Sequence, residues 1–157
     1  MLENRSFTGL KLQAGAGLIE VMVAVLVLGI GLLGLMNLQN RSLQLNQQAY
    51  LYSQASNLAW DIMERMGANS AVADSYLLDY GAAVTASTDC TSTNCSAEQL
   101  AQWDQAQWLI DLNKSLPLAE ASITQAVGLR EYTISIRMDV ERKGEGELEQ
   151  LDIGFRL

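Results

Sequence analysis

The chain has 157 residues, of which 10 are Lys or Arg and 18 are Asp or Glu, so its formal net charge is −8 at pH 7. This acidic excess argues against nucleic-acid binding, because phosphate contacts need clustered basic side chains. The sequence contains no histidine and shows no glycine-rich phosphate loop or paired carboxylates. We therefore expect neither an enzyme nor a bound metal or cofactor.

The most informative segment is a nearly unbroken apolar run over residues 18–36. About 20 apolar helical residues are enough to span the hydrocarbon of a bilayer. Arg5 and Lys11 precede the run, and since positive flanks stay in the cytoplasm, the rest of the chain should face outward. One acid, Glu20, interrupts the run near its start. A carboxylate within a membrane costs roughly 2.5 to 3.5 kcal/mol at mid-depth and usually marks function, so we expect Glu20 to do more than anchor.

Small residues lie before this run rather than after it. A secretory signal peptide has a short apolar region followed by small residues at its cleavage site. Here the small residues are 14–17, and residues 36–39 offer no such site. Any cleavage should therefore precede the apolar helix.

The residues at this boundary resemble the class III leader of the type IV pilin and pseudopilin family. In that family a prepilin peptidase cuts after a glycine, and a glutamate follows five residues later. The corresponding segment here is Gly15-Ala16-Gly17-Leu18-Ile19-Glu20. Alanine and glycine stand where the family commonly has phenylalanine and threonine. The resemblance implies cleavage between Gly15 and Ala16 and an assembly role for Glu20.

Residues 28–35, 61–66 and 90–108 are similar to one branch of that family, the PilV-like type IV pilus modification proteins, which are minor pilins. The resemblance implies a single-pass protein of the bacterial inner membrane, with its domain in the periplasm, that enters the pilus fibre near the tip. It implies a role in priming pilus assembly, and thereby in twitching motility and adhesion. The implied partners are prepilin peptidase, the inner-membrane assembly machinery, the major pilin and other minor pilins.

Two alternatives remain open from the sequence. One is a pseudopilin of type II secretion. The other is a single-pass membrane protein that does not polymerise and whose periplasmic domain binds a ligand. Cleavage at Gly15 would distinguish a pilus or secretion subunit from this non-polymerising membrane protein, because a permanent membrane anchor does not need to be cleaved there.

We expect three parts in the chain: a leader peptide of residues 1–15, a transmembrane and assembly helix of residues 16–38, and an extracytoplasmic domain of residues 39–157. The helix should continue without a break to Gly67, because apolar residues recur every three or four positions. The expected buried face of its second half consists of Leu45, Ala49, Tyr52, Ala55, Ala59, Ile62 and Met66. The following stretch, residues 68–93, is small and polar and is expected to be loop with little regular structure, apart from the patch Tyr76-Leu77-Leu78-Asp79-Tyr80.

The two cysteines of the chain, Cys90 and Cys95, have four polar residues between them. An extracytoplasmic location permits a disulfide, and the spacing is not that of a redox Cys-x-x-Cys site, so we expect a structural bridge. So small a ring stabilises by roughly 2 kcal/mol and fastens a loop. Asp74 and Asp79 lack the alternating oxygen donors of a calcium loop and are expected to be solvated.

Ser96 and Gln99 form a capping-box pattern, which predicts a second helix from Ala97 to Leu116. Its Trp103 and Trp108 are expected to pack against a sheet, and the alternative is a hot spot for a binding partner. Alternating apolar and polar residues predict strands over 132–140 and 151–157, a hairpin connector at 141–147 and a weaker strand at 122–127. The expected fold is α+β and type IV pilin-like: a long N-terminal helix with a transmembrane first half, packed on a small antiparallel sheet, plus a second helix.

Overall fold

The computed structural model describes residues 17–127, 129–140 and 148–157. Its elements are helix α1 (Leu18–Ala68), a 3-10 helix (Ser70–Tyr76), helix α2 (Ala97–Ser115), and strands β1 (Glu120–Gln125), β2 (Glu131–Met138) and β3 (Glu149–Arg156). The expected α+β arrangement of a long apolar helix, a second helix and a small antiparallel sheet is confirmed. The predicted cleavage site at Gly15 and Ala16 and the predicted connector at 141–147 lie outside the described residues.

The chain divides into two compact units, one ending at Leu43 and one beginning at Gln44. In the first unit the large apolar side chains of α1 are exposed, from 51% for Leu32 to 80% for Leu18. By length and composition this part of α1 is able to cross a membrane. A helix that is apolar all round suits lipid or neighbouring helices better than water.

The second unit contains the sheet, which is antiparallel throughout and has the order β1-β2-β3. Ile134 in the central strand lies opposite Ile123 on one side and Ile153 on the other. The side chains of β1 and β2 that face the core are buried: Ala121, Ile123, Tyr132, Ile134, Ile136 and Met138. The apolar side chains of β3 are only partly buried against this core.

The buried face of α1 in this unit differs in part from the predicted one. The buried residues are Leu51, Ala55, Ala59, Ile62 and Met66. Leu45, predicted to be buried, is 50% exposed, and Ala49 is exposed as well. The Tyr52 hydroxyl donates a hydrogen bond to Glu149, the first residue of β3. This hydrogen bond joins β3 to α1 close to Leu51, the first buried residue of the helix.

The stretch predicted to be loop contains the 3-10 helix Ser70–Tyr76. In a 3-10 helix, residues three apart share one face, and here Ala73 and Tyr76 are both buried. The prediction of loop was wrong for these residues because packing of that face against α2, rather than local propensity, stabilises the helix. Leu78 then forms a single β-bridge with Ile123.

Helix α2 begins where its capping pattern predicted. The Ser96 hydroxyl accepts from the Gln99 backbone N–H at 3.3 Å, and the Gln99 side chain accepts from the Ser96 N–H at 2.9 Å. The helix ends at Ser115, one residue earlier than predicted. Trp108 is fully buried, and its indole N–H donates to the Leu58 carbonyl of α1 at 2.8 Å. Trp108 therefore contacts the long helix α1, which the sequence did not predict.

Candidate assembly segment and a polar cluster in the domain

Glu20 lies in the first turn of α1 and is exposed. Its backbone N–H donates to the Gly17 carbonyl at 2.9 Å, and the Val21 N–H donates to the same oxygen at 3.3 Å. The partial positive charge at a helix N-terminus favours a carboxylate at this position. The adjacent side chains, Ile19 and Val21, are apolar and more than half exposed. In a low-dielectric environment such a carboxylate needs a cation or several hydrogen-bond donors.

Three glycines lie further along the same apolar segment. A Cβ atom added at Gly29, Gly31 or Gly34 would meet nothing within 4 Å in the described chain. Each glycine costs roughly 1 kcal/mol relative to alanine in a helix. Small residues in membrane helices allow another helix to approach closely. These positions are therefore suited to contacts with a neighbouring helix.

The loop before α2 is closed by a disulfide between Cys90 and Cys95, whose Cα atoms are 5.6 Å apart. Asp89 organises the polar residues of the ring. Its Oδ1 accepts from the Thr91 N–H at 2.9 Å and from the Thr91 hydroxyl at 2.6 Å. The hydrogen bonds from Thr91 lower the pKa of Asp89 below its ordinary value. The ring ends directly before Ser96 and so ties the loop to the start of α2.

The domain also contains a polar cluster, which we call the Arg65 cluster and which comprises Asp61, Arg65, Asn69, Tyr76 and Asp104. Asp104 of α2 is at its centre: Oδ1 accepts from Arg65 Nη1 at 3.1 Å, and Oδ2 accepts from the Tyr76 hydroxyl at 2.6 Å. Asn69 Nδ2 donates to the Tyr76 hydroxyl at 3.3 Å. Arg65 Nε also donates to both oxygens of Asp61, one turn earlier on α1. The cluster joins α1, the 3-10 helix and α2.

Burial and charge set the ionisation of this cluster. Burial raises the pKa of Tyr76 above its ordinary value, and the hydrogen bond to Asp104 adds to the rise. Burial acts to lower the pKa of Arg65, but hydrogen bonds and charges of Asp61 and Asp104 outweigh it, so the pKa is raised. Among the described residues no buried side-chain N or O lacks a hydrogen-bond partner. A fully satisfied cluster of this kind has a structural role.

The Arg65 cluster was not predicted from the sequence. Two signals pointed to it. Asp61 and Arg65 are four residues apart on α1, which is the spacing of a helical ion pair. Asp104 lies between Ala101 and Trp108 at helical spacing, so it occupies an apolar face, where a carboxylate needs a partner. Neither signal identifies Tyr76, which comes from a separate element.

The described residues contain no group of three or more His, Cys, Asp or Glu side chains placed to hold a metal ion. The long apolar helix, the second helix and the small antiparallel sheet form an α+β, type IV pilin-like fold, to which a disulfide-closed loop is added. A family model described as Type IV pilin Tt1218 matches residues 37–106, less than half of the chain. Comparison with curated proteins and with solved structures gave no match. The fold and the family match together support a type IV pilin family and a pilus-related function.

The matched region begins at Asn37. It includes the helical segment 61–66, the disulfide and the first half of α2. It does not include Gly15, Ala16 or Glu20, so the cleavage site and the assembly role of Glu20 stay predictions, as does the PilV-like branch.

Proposed function

We propose that this protein is a PilV-like minor pilin that takes part in priming type IV pilus assembly. It is held in the inner membrane as a prepilin with its domain in the periplasm. Prepilin peptidase cuts between Gly15 and Ala16, and the helix of residues 16–38 then enters the fibre beside the major pilin and other minor pilins, near the tip. The observation that carries this proposal is the exposed apolar helix with one carboxylate in its first turn. The family match adds support for a pilin.

Glu20 has a direct role in this proposal. Cleavage frees the α-amine of Ala16, and the Glu20 carboxylate pairs with that amine on a neighbouring subunit. Opposite charges attract strongly in a low-dielectric helix bundle when their geometry is good, whereas an unpaired carboxylate there is penalised. Pairing thus favours transfer from lipid into the fibre and sets the axial register between subunits.

The first experiment is to measure the mass of the native protein extracted from membranes and to sequence its N-terminus. We expect a chain that starts at Ala16, with or without an added methyl group. An intact Met1 start would contradict the proposal and favour a permanently anchored protein with a ligand-binding domain.

The second experiment compares Glu20→Gln with Glu64→Gln, which removes one exposed carboxylate from the domain part of the same helix. We expect Glu20→Gln to leave membrane insertion and leader cleavage unchanged and to lower the amount of protein in sheared pili by about tenfold, the ratio that follows from about 1.4 kcal/mol. Glu64→Gln should be incorporated normally. Incorporation of Glu20→Gln at the normal level would show that its carboxylate does not act in assembly.

Deletion of the gene separates a pilus subunit from a secretion pseudopilin. A pilus subunit predicts loss of twitching motility and adhesion with normal protein secretion. Loss of secretion with normal twitching would instead assign the protein to the type II secretion system.

A further inference from the structure

Strand β3 lies at an edge of the sheet, and β2 is its neighbour on one side only. The Leu157 N–H, directly after the strand, donates to the Arg130 carbonyl at 3.0 Å and so points toward β2. Backbone groups of successive residues point to opposite sides of a strand. Four exposed residues therefore direct their N–H and C=O groups to the outer side: Gln150, Asp152, Gly154 and Arg156. Among the described residues, no backbone group pairs with them there.

Gly154 lies in the middle of this edge strand, and its backbone does not require a glycine. Its pairing with Thr133 of β2 belongs to a register that is continuous on both sides, and its φ is outside the left-handed region. The nearest atom to an added Cβ would be the Tyr132 carbonyl oxygen, at 4.0 Å. A glycine within a strand often marks a place where another chain approaches closely. The missing side chain leaves an open space on the face of β3, between Asp152 and Arg156.

The other face of β3 is apolar and only partly covered. Leu151, Ile153 and Phe155 point toward the core, and each of them is partly buried. The Phe155 ring stacks on the Tyr132 ring of β2, with 5.7 Å between the ring centroids, but β3 has no described strand on its other side. A further strand with apolar side chains on this face would bury more of this surface, and such burial is favourable.

Two opposite charges flank Gly154 on its own face of the sheet. Asp152 is exposed, and Gln150 donates to both of its carboxylate oxygens, at 2.8 and 3.1 Å. Arg156 donates to Glu131 of β2, and its side chain is 70% exposed. A guanidinium has five N–H donors, so Arg156 has donors left for a second carboxylate. Opposite charges directly across two strands stabilise their pairing. An added strand therefore fits with an acid opposite Arg156 and a base opposite Asp152.

We propose that the outer edge of β3 binds a short extended segment of another protein chain as an added antiparallel strand. The segment has the pattern acid, apolar, aromatic, apolar, base. Its acid lies opposite Arg156, its aromatic side chain covers Gly154, and its base lies opposite Asp152. Its two apolar side chains extend the apolar face of β3, and main-chain hydrogen bonds join the two strands. This recognition surface goes beyond the proposed function, since it belongs to the domain and does not depend on leader cleavage.

The test uses the full-length protein in detergent and the peptide Thr-Glu-Val-Tyr-Val-Lys-Thr, with fluorescein on its N-terminus and an amide at its C-terminus. Binding is measured by fluorescence anisotropy, and we expect it to be saturable with a Kd below about 1 mM. A peptide with its Glu and Lys exchanged should bind about tenfold more weakly, because like charges then lie across from each other. A peptide with Ala in place of Tyr should bind about threefold more weakly or worse, because Gly154 is then left uncovered.

Two further peptides separate strand addition from contact through side chains alone. One carries N-methyl groups on its Tyr and Lys, whose N–H groups face β3 in the proposed pairing. The other carries N-methyl groups on both Val residues, whose N–H groups face away. We expect the first to bind about tenfold more weakly than the second. Equal binding of the two would overturn the proposal on the unaltered protein, whether or not a variant folds.

Two protein variants locate the peptide. Asp152→Lys reverses the charge on β3, and Asp111→Lys makes the same change at an exposed carboxylate of α2. We expect Asp152→Lys to weaken binding of the original peptide by about tenfold and Asp111→Lys to leave it unchanged. A peptide with Glu in place of its Lys should regain binding to Asp152→Lys. Near-ultraviolet circular dichroism checks that both variants are folded.

Four further results would overturn the proposal: no saturable binding of the original peptide, equal or tighter binding of the exchanged peptide, equal binding of the alanine peptide, or normal binding of the original peptide to folded Asp152→Lys. Tighter binding of the exchanged peptide would indicate a parallel strand. None of these measurements depends on pilus formation, so their outcome is independent of the proposed function.

Discussion

The substitution Asp104→Asn tests whether the Arg65 cluster holds the three elements of the domain together. Asn has the shape of Asp and keeps one acceptor oxygen, but it carries no charge. In the wild-type protein one oxygen of Asp104 accepts from Arg65 and the other from Tyr76. The substitution therefore removes the ion pair and leaves one of these two donors facing an amide N–H₂ group.

The expected loss of stability follows from burial. The Asp104 side chain is 11% exposed and that of Arg65 is 31% exposed. A hydrogen bond to a charged group contributes about 1.5–3 kcal/mol, and breaking a fully buried pair costs about 3–5 kcal/mol. Arg65 keeps Asp61 as a second partner and is partly solvated, so the lower range applies. We expect Asp104→Asn to lower the free energy of unfolding by about 2–3 kcal/mol.

Asp61→Asn is the matched control, because it makes the same chemical change at a partner of the same arginine. The Asp61 side chain is 43% exposed and pairs with Arg65 one turn away on the same helix. Such surface pairs contribute about 0.2–1 kcal/mol. We therefore expect Asp61→Asn to lower the free energy of unfolding by less than about 1 kcal/mol.

The assay is urea unfolding of the full-length protein in detergent, followed by tryptophan fluorescence, to which the buried Trp108 contributes. Both variants and the wild-type protein are measured at the same pH and salt concentration. A loss for Asp104→Asn no greater than that for Asp61→Asn would refute the reasoning. It would mean that apolar packing and the hydrogen bond from Trp108 to Leu58, rather than the Arg65 cluster, hold α2 against α1.

Three further predictions concern stability in the same assay. Burial raises the pKa of Tyr76, so the unfolded chain releases this proton first, near pH 10. The free energy of unfolding should therefore be highest below pH 10 and should fall above it. Tyr76→Phe should make this fall with pH shallower, whereas Tyr50→Phe, at an exposed position, should leave it as in the wild-type protein. Leu118 has a φ of 49°, in the left-handed region that Asn adopts more readily than Leu, and it is 60% exposed. Leu118→Asn should therefore raise the free energy of unfolding by about 0.5–1 kcal/mol. A lower free energy of unfolding would show that the apolar contacts of Leu118 outweigh its backbone strain. Replacing Cys90 and Cys95 by serine should lower the free energy of unfolding by about 2 kcal/mol without changing the far-ultraviolet circular dichroism spectrum, and loss of the folded state would show that the disulfide does more than close a loop.

Local patterns of the sequence predicted the elements well where the signal lies within the element. The capping box of Ser96 and Gln99 placed the start of α2 correctly, because both of its hydrogen bonds are made within four residues. Alternation of apolar and polar residues placed β2 and β3 within two residues of their observed bounds, and it also indicated β1. The leader site at Gly15 and Ala16 and the role of Glu20 are still predictions.

The sequence could not show where the domain begins to cover α1. The three- and four-residue spacing ran through Leu45 and Ala49, yet burial starts at Leu51. Periodicity shows which residues share a face of a helix, but only the position of the sheet decides how much of that face is covered. The 3-10 helix was missed for a related reason, since its residues are stabilised by contacts with α2 rather than by their own propensity.

The sequence by itself determined the apolar helix with its single acid, the capped second helix, the alternating strands and the disulfide. Each of these depends on interactions between residues close in the chain, or on composition alone. The tertiary structure alone decided that Asp104 meets Arg65 and Tyr76, which are 39 and 28 residues away, and that the chain turns away from β1 after Leu78. Contacts between distant residues depend on how the elements pack, and a local pattern carries no information on that packing.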